Sequence, residues 1–277
     1  MNLVVQGPGL DGALAATLYS LSGATGSVAL GANAWRLKGA VHRDPVAAWC
    51  TARWFDYAWV PDERRLADLR LLAMDMDSTL VTIEGIDEMG DMLGIKHQIA
   101  AVTEQAMRGE IEYTESLRRR VALLAGLRED ALERICEERM HLSPGAEALV
   151  ARCRSLGIRT LLVSGGFSFF TRWLKDRLGL DAVFSNDLEI VDGALSGRVL
   201  GNIVDGRAKA GRLLEEMAAL DVAREQVAAV GDGANDIPMM AAAGVSVAYR
   251  AKPAVRAHAT HALDHAGLDG VLNLFVE

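Results

Sequence analysis

Two aspartates one residue apart, Asp75 and Asp77 in "DMDST", directly follow the apolar run "LLAM" at 71–74. Stability alone does not explain them, because burying carboxylates is costly. The C-terminal end of a parallel strand is, however, where open α/β sheets hold ligands. An EF-hand calcium loop spaces acids in the same way, but it needs glycine at its sixth position and glutamate at its twelfth, where this chain has Leu80 and Ile86. Three further elements follow in order. Ser164-Gly165-Gly166, after "TLLV", offers a hydroxyl and backbone N–H groups at the start of a helical run, a cradle for phosphate. Lys209 lies near the start of the helical run "GRAKAGRLLEEM". "VAAVGDGANDIPMM" ends a strand in a glycine loop with Asp232, Asn235 and Asp236, an oxygen-donor set suited to Mg²⁺. Together these are the parts for phosphoryl transfer through an aspartyl-phosphate: one aspartate attacks phosphorus and the other moves protons. Mg²⁺ offsets the repulsion of anions, and Ser164 and Lys209 hold the phosphoryl oxygens.

Such residues need a scaffold that sets strand ends side by side. Apolar runs at 71–74, 160–163, 182–186, 227–230 and 244–249 alternate with amphipathic helical runs, the pattern of a parallel α/β sheet. Between the first two runs the periodicity is helical, as in "IKHQIAAVTEQAMRG" and "YTESLRRRVALLAGL". That segment is too long for a βαβ crossover, so a helical cap over the sheet is predicted at about 84–148. "LEIVDGALSGRV" carries Asp192-Gly193 between two extended runs, a hairpin signal. Upstream, "NLVVQ" and "GSVALG" read as strands around the helix "DGALAATLYSLSGA", followed by a tract with tryptophans at 35, 49, 54 and 59 that reads as a small core or packing face. Pro61 and "PDERR" mark a boundary. The predicted fold is α/β: a Rossmann-like parallel sheet core at 70–277 with an inserted helical cap, preceded by a small N-terminal α+β unit at 1–69.

Composition narrows the classes. With 277 residues and 51% hydrophobic content the chain can bury a full core. Net charge is −8, and the first seventy residues hold seven basic against six acidic side chains, so the acid excess lies downstream and a nucleic-acid partner is disfavoured. Cys50, Cys136 and Cys153 are odd in number and form no CxxC, so neither a disulfide framework nor a zinc site is expected. With no signal-like leader and no membrane-length apolar run, the expectation is a soluble cytoplasmic protein.

Two patterns are decoys. "GPGLDG" at 7–12 matches G-x-G-x-x-G, but Pro8 lacks a backbone N–H where pyrophosphate needs donors, and no acid lies between Gly12 and Asp44 to bind a ribose; a tight turn is expected. His258, His261 and His265 do not share one helical face, and they read as surface histidines near a sheet edge rather than as metal ligands.

"DMDST", "SGG", the isolated Lys209 and "GDGAND", in that order, resemble the four motifs of the haloacid-dehalogenase-like phosphatases, over residues 71 to about 250. The resemblance implies Asp75 as nucleophile and Asp77 as general acid and base. It implies Mg²⁺ on Asp75, the main-chain carbonyl of Asp77 and Asp232, with Asp236 in support, and phosphate contacts from Ser164, Gly165, Lys209 and Asn235. Within that superfamily, "DMDSTLVTIEGIDE", "AMRGEIEYTESLRRRVALL" and "LLVSGGF" resemble the phosphoserine phosphatases, which hydrolyse O-phospho-L-serine in the last step of serine synthesis. This implies Glu84 for the substrate ammonium, Arg120 for its carboxylate and Met107 in an apolar lid. Spacing does not choose among Arg118, Arg119 and Arg120; Arg118 and Arg119 read as solvated or paired with Glu115, and the resemblance selects Arg120. Tyr113 stands where the family often has phenylalanine. Transfer of the phosphoryl group to another alcohol such as homoserine would use the same residues, whereas a silent amino-acid sensor is disfavoured by the intact motif set.

Overall fold

The computed structural model describes residues 1–277. Its N-terminal unit runs β1 (Asn2–Gln6), α1 (Gly12–Ser22), β2 (Gly26–Gly31), β3 (Ala34–Lys38), α2 (Arg43–Thr51) and β4 (Asp56–Val60), with an antiparallel sheet in the order β2-β3-β1-β4. The tryptophan tract therefore supplies two strands and a helix that its pattern did not reveal. Trp35, Trp49 and Trp59 pack against the core of this unit, while Trp54 is 72% exposed. "GPGLDG" is a turn into α1, whose first turn is capped by Asp11 accepting from the Leu14 amide at 2.9 Å.

The second unit contains β5 (Leu71–Met74), α3 (Gly85–Met92), α4 (Lys96–Met107), α5 (Tyr113–Leu123), α6 (Glu129–Arg134), α7 (Ala146–Ser155), β6 (Arg159–Phe167), α8 (Ser168–Leu178), β7 (Ala182–Val191), β8 (Ala194–Leu200), α9 (Gly206–Leu220), β9 (Val227–Gly231), α10 (Ile237–Ala242), β10 (Val245–Tyr249), α11 (Pro253–Arg256) and β11 (His261–Leu263). The sheet order is β11-β10-β9-β5-β6-β7-β8, parallel throughout except for β8. Every residue of β5, β9 and β10 is buried, as central parallel strands covered on both faces require. Leu72, Met74, Ala228 and Val230 face one core, and Leu71, Ala73, Val227 and Ala229 face the other, against Leu213 and Met217 of α9. From β5 the chain proceeds outward to β6 and β7, then returns to β9 on the opposite side. The C-terminal ends of β5 and β9 thus flank a topological switch point, the ligand position of open α/β sheets. No helix is long and apolar enough to cross a membrane.

Helices α3 to α6 form the cap, inserted between β5 and β6. A backbone bridge between Val81 and Leu142 closes its neck. Asp192 and Gly193, both at positive φ (52° and 74°), make the two-residue turn of the β7–β8 hairpin, as their types predict. The hairpin in turn holds the cap: Gly126 N donates to Leu195 O and Leu195 N to Leu127 O, each at 2.8 Å, and Glu129 N donates to Gly193 O at 3.0 Å. Gly197, at φ 84°, lets α5 close on β8, since a Cβ there would lie 3.1 Å from the Ala125 Cβ.

The two units meet through polar contacts with the C-terminal segment. Asp56 accepts the amides of Asp264, His265 and Ala266 at 2.8 to 2.9 Å, and Arg36 donates to the carbonyls of Asn273 and Phe275. His261 lies at the sheet edge, as expected, but it is not a surface histidine. Its Nε2 lies 2.6 Å from Arg64 Nη1, and burial first, then Arg64, lower its pKa to about 4. A guanidinium only donates, so His261 must be the neutral acceptor there. The unfolded chain protonates this histidine first as pH falls, so its contribution is intact above about pH 6.5 and is lost progressively towards about pH 4. The full loss is of the order of 3 kcal/mol. Thermal melts of the protein and of His261→Gln at neutral pH and near pH 5 should show a larger acid-induced drop for the parent; equal drops would exclude the effect.

Candidate active site

The floor of the site grows from β5 and β9. Asp75 continues the β5 ladder, its amide donating to Val230 O at 3.0 Å, so its carboxylate is fixed beside the β9 loop. The chain then turns through Met76–Leu80, with Ser78 at φ 54°. This turn points three side chains to separate partners. Asp77 Oδ1 accepts the Gly85 amide at 2.7 Å, Ser78 Oγ donates to Glu84 at 2.6 Å, and Thr79 Oγ1 donates to Asp232 at 3.0 Å. From the first turn of α9, the fully buried Lys209 donates to Asp75 at 2.6 Å and Asp236 at 2.7 Å.

Asp75, Asp232 and Asp236 bring carboxylate oxygens within 4.8 Å of one another. This all-oxygen donor set fits a hard divalent cation. Both oxygens of Asp236 are committed, one to Lys209 and one to the amides of Asp232 and Gly233. Asp75 and Asp232 each accept a single donor, from Lys209 and Thr79, and keep a second oxygen free. The other acidic group, Asp56, Asp264 and His265, is different. Asp56 accepts three amides and Asp264 Oδ2 pairs with Arg256 at 2.6 Å, which leaves Asp264 Oδ1 as the buried oxygen of that group without a partner.

"SGG" ends β6 opposite Asp77. Ser164 is fully buried beneath the floor, its Oγ accepting the Gly166 amide at 2.8 Å. Both glycines are required sterically: a Cβ would lie 2.3 Å from the Tyr113 hydroxyl at Gly165 and 2.8 Å from Asp77 Oδ2 at Gly166. Above the floor is a cavity of about 650 Å³. Asp75, Asp77, Gly165, Asp232 and Asn235 line its base; Glu84, Met107, Tyr113 and Arg120 line its cap side. Lys209, Ser164 and Asp236 support the base from below. Arg119 pairs with Glu115 at 2.7 Å on the outer face of α5, and Arg118 is exposed, whereas Arg120 turns inward. Met107 is 68% exposed at the rim.

Crowded carboxylates in a buried floor shift one another's protonation. Burial, then Asp236, raise Asp75 well above the usual carboxylate range, with Lys209 opposing. Burial and the Glu84 charge push Asp77 up to about 7, and burial and Asp236 push Asp232 to about 6. Burial works to discharge Lys209, but Asp75 and Asp236 outweigh it and hold the ammonium protonated. A carboxyl poised near 7 can both give and take a proton at neutral pH.

Sequence reading missed two supports. Asn186, 1% exposed, donates to the carbonyls of Gly165 and Gly166 and accepts the Val204 amide at 2.8 Å, fixing the glycine turn. A polar residue closing the strand-like run "AVFSN" was the available signal. Asp205 lines the cavity and caps α9 through the Ala208 amide at 2.9 Å, which sets the helix that carries Lys209.

Comparison with known proteins agrees with this geometry. Residues 72–241 match the family model described as haloacid dehalogenase-like hydrolase. Residues 3–47 match one described as a domain of unknown function (DUF4072). A phosphoserine phosphatase of Albidiferax ferrireducens is 52% identical over 216 residues, 76% of this chain and 91% of that protein. The unliganded crystal structure of a probable phosphoserine phosphatase from Vibrio cholerae superposes with a TM-score of 0.87 at 38% identity, covering 99% of this chain and 85% of that one. A structure described as a phospho-aspartyl intermediate analogue of phosphoserine phosphatase has a TM-score of 0.70 at 35% identity, covering 75% of this chain and 99% of that one. The motif order, the switch-point site and these likenesses together show that the chain belongs to the phosphoserine phosphatase family of the haloacid dehalogenase-like hydrolases.

Proposed function

We propose that the protein acts in the cytoplasm as a Mg²⁺-dependent phosphatase of O-phospho-L-serine, releasing L-serine and phosphate at the end of serine synthesis. The observation that carries this reading is a single cavity with two buried acids, Asp75 and Asp77, at its base and an acid and a guanidinium, Glu84 and Arg120, on its cap side. A zwitterionic phosphate ester needs that division. Its phosphoryl group meets the N–H groups of "SGG" and Asn235, its ammonium meets Glu84, and its carboxylate meets Arg120.

The Asp75 carboxylate attacks phosphorus in line, and the bond from phosphorus to the serine oxygen breaks as the aspartyl-phosphate forms. Asp77 gives its proton to the departing oxygen. Asp77 then takes a proton from the water that attacks phosphorus, and phosphate leaves as Asp75 is regenerated. Lys209 stays protonated through both steps, placing a fixed positive charge beside the anion. Mg²⁺, held by Asp75, Asp232 and the Asp77 carbonyl, would supply charge compensation between carboxylate and phosphate. Met107 and the cap wall shield the ester from bulk water.

Phosphate release from O-phospho-L-serine, measured against a panel of sugar and alcohol phosphates with Mg²⁺ and with chelator, tests the reading. The expected result is a magnesium-dependent preference for phosphoserine. Equal turnover of sugar phosphates would remove the substrate assignment and leave the phosphatase chemistry standing.

A further inference from the structure

Seven buried side-chain polar atoms in the protein lack a hydrogen-bond partner, and two of them, Ser116 Oγ and Arg120 Nε, belong to residues that line the cavity. They lie four residues apart on α5, with Tyr113 three residues before Ser116, so all three share the helix face turned to the cavity. Ser116 is fully buried. Serine and threonine within helices usually return the hydroxyl to the carbonyl four residues back. Thr17, Ser20 and Thr103 do so in this protein, at 3.1, 3.4 and 3.1 Å; Ser116 does not. An unpaired buried hydroxyl costs stability unless something absent from the free protein completes it.

We propose that Ser116 is a specificity residue that donates a hydrogen bond to the substrate carboxylate held by Arg120. The inference rests on the phosphoserine reading above and extends it. Arg120 offers only donors, so the group it meets is an acceptor, and the phosphoryl end is already placed at the floor with Lys209 and "SGG". A carboxylate has two oxygens and lone pairs enough for a guanidinium and one further donor. Ser116, one helical turn from Arg120, is placed to be that donor.

The test compares O-phospho-L-serine with O-phosphoethanolamine, which keeps the ester and the ammonium and lacks the carboxylate, in the parent enzyme and in Ser116→Ala. The expected result is a fall of about tenfold in kcat/KM for phosphoserine, carried mainly by KM, with phosphoethanolamine changed by less than about twofold. The melting temperature of free Ser116→Ala should hold or rise by roughly 2 °C, because the variant loses an unsatisfied hydroxyl. Equal losses on both esters, no loss on either, or a melting temperature that drops would overturn the proposal and leave Ser116 a packing residue. A parent enzyme that does not distinguish the two esters would instead remove the amino-acid reading itself, an outcome visible before any variant is made.

Discussion

Asp75→Asn is expected to lose phosphate release by a factor on the order of 10⁴ or more, without loss of stability. The amide cannot attack phosphorus, yet its oxygen can still accept from Lys209 in place of the 2.6 Å carboxylate contact. One of three crowded carboxylates is removed, and Lys209 keeps Asp236 as its anionic partner. Burial and Asp236 both work against a charge at position 75, so neutralising it relieves the floor. Melting temperature and phosphate release measured side by side separate the two effects. Turnover that survives the substitution would overturn the aspartyl-phosphate mechanism, and a collapse of the fold would show that the carboxylate is structural.

Lys209→Ala has the opposite profile: it should damage stability and activity together. Its ammonium is the one cation buried at the floor, bonded to Asp75 and Asp236 with no solvent exposure. Removing one member of a buried ion cluster leaves its partners uncompensated, at about 3–5 kcal/mol. For a chain of this length that is a fall on the order of 10 °C in melting temperature. Millimolar Mg²⁺ should restore part of the stability by rebalancing the carboxylates, while phosphate release stays impaired, because the fixed charge beside the transferring group is gone. The measurement is a thermal melt with and without Mg²⁺, paired with the phosphate assay. A Lys209→Ala protein as stable as its parent would mean that the three carboxylates do not depend on this lysine.

What could be read from the residues follows from how locally each feature is encoded. Central parallel strands are buried on both faces, so β5, β9 and β10 stand out as apolar runs, and the loops after β5 and β9 carry the acids Asp75, Asp77, Asp232 and Asp236. The Asp192-Gly193 turn is equally local. By contrast, β3 and β4 carry Arg36 and Asp56, which look like surface residues until their partners more than two hundred positions away are known. The same holds for His261, whose partner Arg64 lies 197 positions away. In the site, Asp75, Asp77 and Asp232 announce themselves by type and spacing. Arg120 does not, because three consecutive arginines differ only in which way α5 faces. Ser116 is illegible for a further reason: what marks it is the absence of a partner.

The backbone bonds between residues 126–129 and the β7–β8 hairpin give the cap a second anchorage besides its neck. A lid fastened at two places does not swing like a door. Its loosest piece is α4, which buries Ile99 alone yet carries Thr103, Ala106 and Met107 over the cavity. Passage in and out is therefore expected to be cheapest through a gate one helix wide, formed by α4 and the loop at 108–112. Helix α5, pressed onto β8 at Gly197, stays on the fixed side of that gate with Tyr113, Ser116 and Arg120. On the proposed function, the wall that meets the substrate is expected to stay assembled between turnovers, so that each new molecule meets a recognition surface whose ordering cost was met on folding.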